Sequence, residues 1–492
     1  MEMELGSVVQ FLEGKTVLVT GATGFLAKIF LEKVLRVQPN LKKLFLLLRA
    51  ADAKAASYRF HNEVIGKDLF RVLKEKTGSS FSSLISEKVT LVPGDIAQQD
   101  LGIDDPNMRE EMLNETDIVI NLAATTKFDD RYDVAFGINT LGAKHVLEFA
   151  KGCRNLKVAI HVSTAYVCGE KEGLLPETPY KMGETLNGAT GLDIYEEKRL
   201  IEDKLIELKA EGATDKEISV AMRDLGISRA NKYGWPNTYV FTKTMGEMLV
   251  GALKGNLPVV ILRPTIITST YKEPFPGWTE GLRTVDSLAI GYGKGKLKCF
   301  LGDLDALIDV IPADMVVNCI MVAAMAHANR PSDAIYQIGS SLRNPVRYSD
   351  VQEYGQHHFI NHPWINKDGQ PVKVGKIKIL GSMASFHRYM AIRYLPLLKG
   401  LEFANAAFCR SFQGTYTDLN SKIKFAFRMT ELYRPYLFFK GVFDDTNTEA
   451  LRIAANQKGV EADIFYFDPS GIDWKSYFLT IHIPGVVKYL LK

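Results

Sequence analysis

The stretch KTVLVTGATGFLAKIFLEKVLRV constrains this chain more than any other. A β-branched run, Thr16–Thr20, enters a turn holding Gly21 and Gly24, and an apolar-periodic segment runs from Phe25 to Val37 before Pro39 ends it. Strand, glycine turn and helix in that order open a βαβ unit, and the glycines let backbone approach a pyrophosphate that the helix amides and dipole attract. The third glycine position of this fingerprint holds Ala27. Short apolar runs recur in KKLFLLLR, KVTLVPGD, DIVINLAA, KVAIHVST and PVVILRP, with helical patterns between them. The alternation predicts an α/β chain, a Rossmann-type doubly wound parallel sheet with helices on both faces.

The 492 residues are enough for roughly two or three domains. Between the strand ending near Thr164 and the helix near Tyr239 lie 75 residues, far beyond an ordinary βα connection, so an inserted helical lobe is expected there. Within it YEEKRLIEDKLIELKAEG spaces Leu200, Ile201, Leu205, Ile206 and Leu208 as an amphipathic helix. Beyond about residue 370 the parallel-strand signature stops, and 371–492 is read as a smaller, mostly helical C-terminal domain. That segment holds 17 Lys+Arg against 10 Asp+Glu, so it is basic while the remainder is slightly acidic.

The whole chain carries a formal charge of +3, too balanced for a protein that neutralises a phosphate backbone, so no nucleic-acid partner is expected. Five scattered cysteines, Cys153, Cys168, Cys299, Cys319 and Cys409, show no metal or redox spacing, which fits a reducing compartment, and no metal is expected. The opening MEMELGSVVQFLEGK lacks the pattern of a secretory signal, and the longest apolar run, near Val316–Ala326, is too short to span a bilayer and is interrupted by Asn318.

Cofactor contacts are expected around the glycine turn from Thr20, Gly21, Thr23, Gly24, Phe25 and Leu26. The second strand ends in Arg49, where an enzyme preferring NAD usually places a carboxylate; a cation suits a 2′-phosphate, which favours NADPH. Asp95 with Ile96, and Asn121 with Ala123 and Ala124, fall at the ends of the third and fourth strands, where adenine and ribose pass, although turn chemistry explains either equally. Pro264, Thr265 and Ile266 close the following strand on the same edge.

Tyr239 and Lys243 in TYVFTK are four apart, so a helix sets them on one face, where the ammonium can lower the phenol's pKa for proton transfer. Two other tyrosines have a lysine four later, but Tyr292 sits in the glycine-rich GYGKGK and Tyr436 lies beyond the expected sheet. Ser163 and Thr164 end the strand in HVSTAYVCG, and a hydroxyl there can polarise a carbonyl; Thr164 is the one expected to face the ligand, with the reverse assignment open. Thr164, Tyr239 and Lys243 are the candidate catalytic residues, with Ser163, Tyr239 and Lys243 also near cofactor.

TGATGFLAK, HVSTAYVCG, GWPNTYVFTK, LRPTIITSTYKEPFPGW, GYGKGK and IPADMVVN, in this order, resemble the plant alcohol-forming fatty acyl-CoA reductases, a family of extended short-chain dehydrogenases. The closing FYFDPSGIDW and HIPGVVKYLLK extend the resemblance to the end of the chain. It implies an NADP-binding reductase domain over 12–370 with substrate-binding insertions, and a C-terminal fatty acyl-CoA reductase domain over 371–492. It further implies that long-chain fatty acyl-CoA is reduced with two NADPH to a primary alcohol and CoA, for wax, suberin or pollen-wall lipid. The rival readings are an aldehyde-forming reductase, a sterol-type dehydrogenase and a catalytically silent NADP sensor. Plastid relatives carry an N-terminal extension, so the early glycine motif favours the cytoplasm or the cytosolic face of the endoplasmic reticulum. Peripheral membrane contact is expected from SFHRYMAIRYLPLLKGLEFANAAFCRSF, which mixes Phe403 and Phe408 with Arg388, Arg393, Lys399 and Arg410. Chain-length preference, CoA contacts and oligomeric state are not legible at this level.

Overall fold

The computed structural model describes residues 5–282, 284–456 and 461–491. The first four residues of the opening stretch and the final Lys492 lie outside them. Thirteen strands are described: β1 Thr16–Thr20, β2 Lys43–Leu48, β3 Val89–Pro93, β4 Ile118–Asn121, β5 Val158–Val162, β6 Gly173–Leu175, β7 Val259–Pro264, β8 Ile266–Thr268, β9 Cys299–Leu301, β10 Val310–Pro312, β11 Ile335–Ile338, β12 Lys378–Leu380 and β13 Gly441–Phe443. Seven of them form one sheet in the order β3–β2–β1–β4–β5–β7–β11, and every pair is parallel. The order turns back at β1, so strand ends β1 and β4 part company at the doubly wound crevice where such sheets bind ligands.

Period-two burial explains the layers. On β1, Val17 and Val19 pack with the helices Phe25–Val37 and Ala313–Ala326, while Leu18 points to the opposite core with Gly142–Gly152. The helix Thr238–Leu253 covers that second face and also reaches the inserted lobe, whose helices are Ile194–Ala210 and Asp215–Lys232. In the expected amphipathic helix, Ile201 and Leu208 are buried, whereas Ile206 is exposed.

Parallel pairing continues past residue 370, contrary to the pattern reading: β12 pairs with β9 and β13 with β6. These strands are three residues long, too short to leave a hydropathy signature. Between them lie the helices Met383–Arg393, Leu395–Ala407 and Gln413–Leu437. After β13 the chain returns to the main core, where Leu451, Phe467, Tyr477, Phe478 and Val486 are buried with the sheet helices. Tyr292 also departs from expectation, since it lies inside the helix Thr284–Gly293 with its hydroxyl donating to the Gly375 carbonyl at 3.1 Å.

The segments that carry the family resemblance hold this return in place. The buried Asp314 carboxylate of IPADMVVN accepts the backbone amides of Tyr271 (2.8 Å), Lys272 (2.8 Å) and Glu273 (3.0 Å), fixing the loop before EPFPGW. Four residues on, Asn318 donates to the Tyr466 carbonyl at 2.8 Å, and the Tyr477 hydroxyl donates to the Ser269 carbonyl at 2.8 Å. Phe25, opening the glycine-turn helix, stacks on Trp278 with centroids 5.2 Å apart. Replacing Asp314 with Ala takes one acceptor from three amides, so roughly 2–4 kcal/mol of stability should be lost, read as a lower urea midpoint at unchanged m-value.

Candidate active site

Gly21 has φ +68°, and a Cβ there would come within 2.7 Å of the Ala123 Cα, so only glycine lets the turn lie against the end of β4. Gly24 caps the helix Phe25–Val37 without a side-chain hydrogen bond, and the first turn holds no acidic residue. Its leading amides therefore face a cleft lined by Gly21, Thr23, Gly24, Arg49, Asp95 and Ala123. Ile96 and Ala124 line the same cleft.

Not every residue expected at this cleft presents its polar group to it. Thr20 and Asn121 are buried and satisfy one another, Thr20 Oγ1 donating to Asn121 Oδ1 at 2.6 Å. The Ala123 amide donates back to Thr20 Oγ1 at 3.2 Å, so the pair shapes the wall that Gly21 approaches. Asp95 Oδ1 accepts the Ala97 amide at 2.9 Å while bordering the cleft, which is turn chemistry and lining together. Thr265 is buried at the end of β7, its amide donating to the Ile338 carbonyl at 3.0 Å, between Pro264 and the start of β8 at Ile266. Leu26, half-buried, packs on the core behind the turn.

One residue was not foreseen. Arg59, at the end of the helix Ala53–Arg59, reaches over the glycine turn, donating to the Arg49 carbonyl at 2.6 Å and to Thr23 Oγ1 at 3.4 Å. Glu63 holds its guanidinium at 2.8 Å, and Asp52, the carboxylate closest in sequence to the end of β2, is engaged as the cap of that helix. Two cations thus border the outer end of the cleft.

The second half of the site gathers at the end of β5. Thr164 follows the strand in extended backbone, its side chain accepting the Tyr166 amide at 3.3 Å and lying beside the Tyr239 hydroxyl. Burial pushes the Tyr239 phenol up to about 12, with the Thr164 side chain as the opposing influence. Burial also brings Lys243 down to about 8, against the pull of Glu247, and its ammonium donates to the Val162 carbonyl at 2.9 Å. The lysine therefore anchors the end of β5, and desolvation outweighs the expected lowering of the phenol. Ser163 Oγ is buried and has no hydrogen-bond partner among the described residues. A glycine cradle that no Cβ fits, a helix N-terminus and this orphaned hydroxyl at the same sheet edge suit a bound dinucleotide.

Support for the site comes from residues that pattern reading passed over. Helix Thr238–Leu253 packs so closely on the widened turn Phe136–Leu141 that a Cβ on Gly246 would sit 2.3 Å from the Asn139 carbonyl. Asn139 Oδ1 accepts the Thr125 amide and its Nδ2 donates to Thr242 Oγ1, both at 3.1 Å, beside Lys243. His161 is buried next to Asn121, and burial followed by the Lys243 charge holds its imidazole down to about 3, hence neutral. Tyr436, set aside because it lies beyond the sheet, comes back onto the site: Phe128 stacks on both Tyr239 (6.1 Å) and Tyr436 (4.9 Å).

Residues 19–320 match the family model described as male sterility protein, and residues 395–492 match a second model of the same description. Over 490 residues the chain is 56% identical to the alcohol-forming fatty acyl-CoA reductase of Simmondsia chinensis, covering 99% of each. The chain belongs to the fatty acyl-CoA reductase family. It is also 51% identical over 487 residues to fatty acyl-CoA reductase 1 of Arabidopsis thaliana, covering 98% of this chain and 99% of that one. Among solved structures, the terminal R domain of the myxalamid biosynthetic pathway shares the fold at 19% identity, with a TM-score of 0.56 over 97% of this chain and 91% of that one. This reductase is an oxidoreductase with a nicotinamide cofactor. Gly21→Ala should weaken cofactor binding at least about tenfold, because a left-handed alanine and the clash at Ala123 together cost about 1–2 kcal/mol or more. Fluorescence titration of the purified protein checks this.

Proposed function

We propose that this reductase converts long-chain fatty acyl-CoA to primary alcohol and CoA with two NADPH, for surface or wall lipids. The observation that carries the chemistry is the protonated Tyr239 phenol beside Thr164 at the end of β5, with Lys243 one turn along its helix. Bound NADPH would supply hydride to the thioester carbonyl carbon. Thr164 and Tyr239 hold the resulting oxyanion until it collapses to an aldehyde with loss of the CoA thiolate. In a second reduction the same hydroxyls hold the alkoxide, and Tyr239 gives it a proton to leave the alcohol. Lys243 orients the cofactor ribose and keeps the local charge positive up to about pH 8.

In this reading residues 12–370 supply the cofactor site and the reacting groups, and 371–492 cover the substrate. Preference for NADPH rests on Arg49 and Arg59 bordering one cleft with Asp52 engaged elsewhere. Among the described residues no helix is long and apolar enough to cross a membrane. Contact with a membrane surface, on the cytosolic face of the endoplasmic reticulum, is instead supported by Ile392, Phe403 and Phe408, which are 72%, 75% and 62% exposed beside the exposed Arg388, Arg393, Lys399 and Arg410.

Stoichiometry, kinetics, cofactor binding and flotation test these points. With purified protein and palmitoyl-CoA, two NADPH should be consumed per CoA released and the alcohol recovered; one NADPH and free aldehyde would establish the aldehyde-forming alternative. Tyr239→Phe should lose about 10²- to 10⁴-fold in turnover with cofactor binding kept, and kcat/KM of the parent should fall above pH about 8 as Lys243 deprotonates. Arg49→Glu should weaken NADPH binding by roughly 1.5–3 kcal/mol while leaving NADH nearly unchanged. Flotation with anionic liposomes should be lost when Arg388, Arg393 and Lys399 are changed to Glu.

A further inference from the structure

A half-open groove of about 740 Å³ lies between residues 287–301 and the C-terminal helices, apart from the cofactor cleft. Its wall is overwhelmingly apolar, with the lysines Lys296, Lys298 and Lys422 exposed. On the helix Gln413–Leu437, the residues facing it run from Leu419 through Ile423, Ala426, Met429 and Tyr433 to Leu437. Steps of three and four keep these side chains on one helix face, and the stripe is about 27 Å long at 1.5 Å per residue.

Two features distinguish this groove from an ordinary surface crease. The first is its continuity with the reacting groups: Tyr433 packs on Phe128 at 5.2 Å between ring centroids, and Phe128 stacks on Tyr239 at 6.1 Å. The second is its size. Ligand pockets run to about 300–1,000 Å³. A bilayer's hydrocarbon core, two acyl chains thick, is about 30 Å, so a 27 Å stripe exceeds the length of one chain. At the side of β9, Phe300, Leu288 and Leu297 also line a second, small apolar void of about 70 Å³, so these three residues lie between the two spaces.

Resting on the reading of the chain as an acyl-CoA reductase, we infer that this groove holds the aliphatic chain of the substrate. Phe128 and Tyr433 form the passage from its near end to Tyr239, and Ala426 and Phe300 set how long a chain it takes. The groove retains the aldehyde by its chain while the oxidised cofactor leaves, because each methylene it shields from water tightens binding by about fourfold. No such contact is needed at the reacting carbon itself.

Two readouts separate the groove from the reaction. Binding of cis-parinaric acid, followed by fluorescence without cofactor, reports chain occupancy alone; alcohol formation across C12 to C22 acyl-CoAs reports selectivity. Ala426→Phe narrows the groove at a half-buried position on a surface helix. It should weaken parinaric acid binding at least about tenfold and shift kcat/KM by a similar factor toward shorter chains. Phe300→Ala opens the small void and should shift preference toward longer chains. Since Phe300 is buried, Ala426→Phe carries the test alone if Phe300→Ala does not fold. A folded Ala426→Phe protein with parent-like parinaric acid binding and chain-length profile would overturn the inference. Chain binding that Ala426→Phe weakens, in a parent protein that oxidises no NADPH with any acyl-CoA, would instead leave the groove standing and defeat the reductase reading.

Discussion

The side chain of Asn237 makes two hydrogen bonds on which the arrangement of the site depends. Its Oδ1 caps the helix Thr238–Leu253 by accepting the Val240 amide at 3.1 Å, and its Nδ2 donates to the Tyr436 hydroxyl at 2.8 Å. The helix that carries Tyr239 and Lys243 is therefore started by a residue that is itself held by the C-terminal segment. Tyr436 is buried there against Phe128 and Tyr166, so its hydroxyl, held far above the ordinary phenol range by burial, stays protonated while it accepts from Asn237. The helix of Tyr239 and Lys243 and the helix Gln413–Leu437 are linked by one amide group.

Around that link, burial decides the chemistry. Water removed from the end of β5 raises Tyr239 and lowers Lys243 together, which keeps a proton on the phenol and brings the ammonium near its titration range. The nearby Arg263–Glu247 pair, 2.6 Å apart and almost wholly buried, places a carboxylate one turn from Lys243 that opposes the lowering of its pKa by burial. A buried pair of this kind costs desolvation, and Arg263 offsets part of it by also donating to the Thr178 carbonyl at 3.0 Å.

Much of the architecture was legible because it depends on local periodicity. The strand Thr16–Thr20 and the helix Phe25–Val37 stand where the pattern placed them, since five β-branched or apolar residues and a 3.6-residue repeat each favour one backbone form. The inserted lobe was visible as an overlong connection. Tyr292 was misjudged because the glycines around it discourage a helix, yet burial of Tyr292 and contact of its ring with Phe359 outweigh that propensity. Arg59 was invisible for another reason: its distance from the glycine turn is 36 residues in sequence, and nothing local marks an arginine that folds back over a turn.

The amino-acid order by itself determined the parallel sheet, the glycine turn, and the placing of Tyr239 and Lys243 on one helix, because each follows from spacing along one strand or one helix. It also carried the family signature in EPFPGW, IPADMVVN and FYFDPSGIDW, without revealing what those segments do. Only the tertiary structure decided that they clamp the returning chain, Asp314 onto the loop of Tyr271–Glu273 and Asn318 onto Tyr466. It alone decided that Thr20 and Asn121 satisfy each other, that Tyr436 reaches the active site, and that Tyr433 joins it to an apolar groove. These are contacts between residues tens to hundreds of positions apart. Periodicity says which side chains must leave water; only the packed fold says which partners they meet when they do.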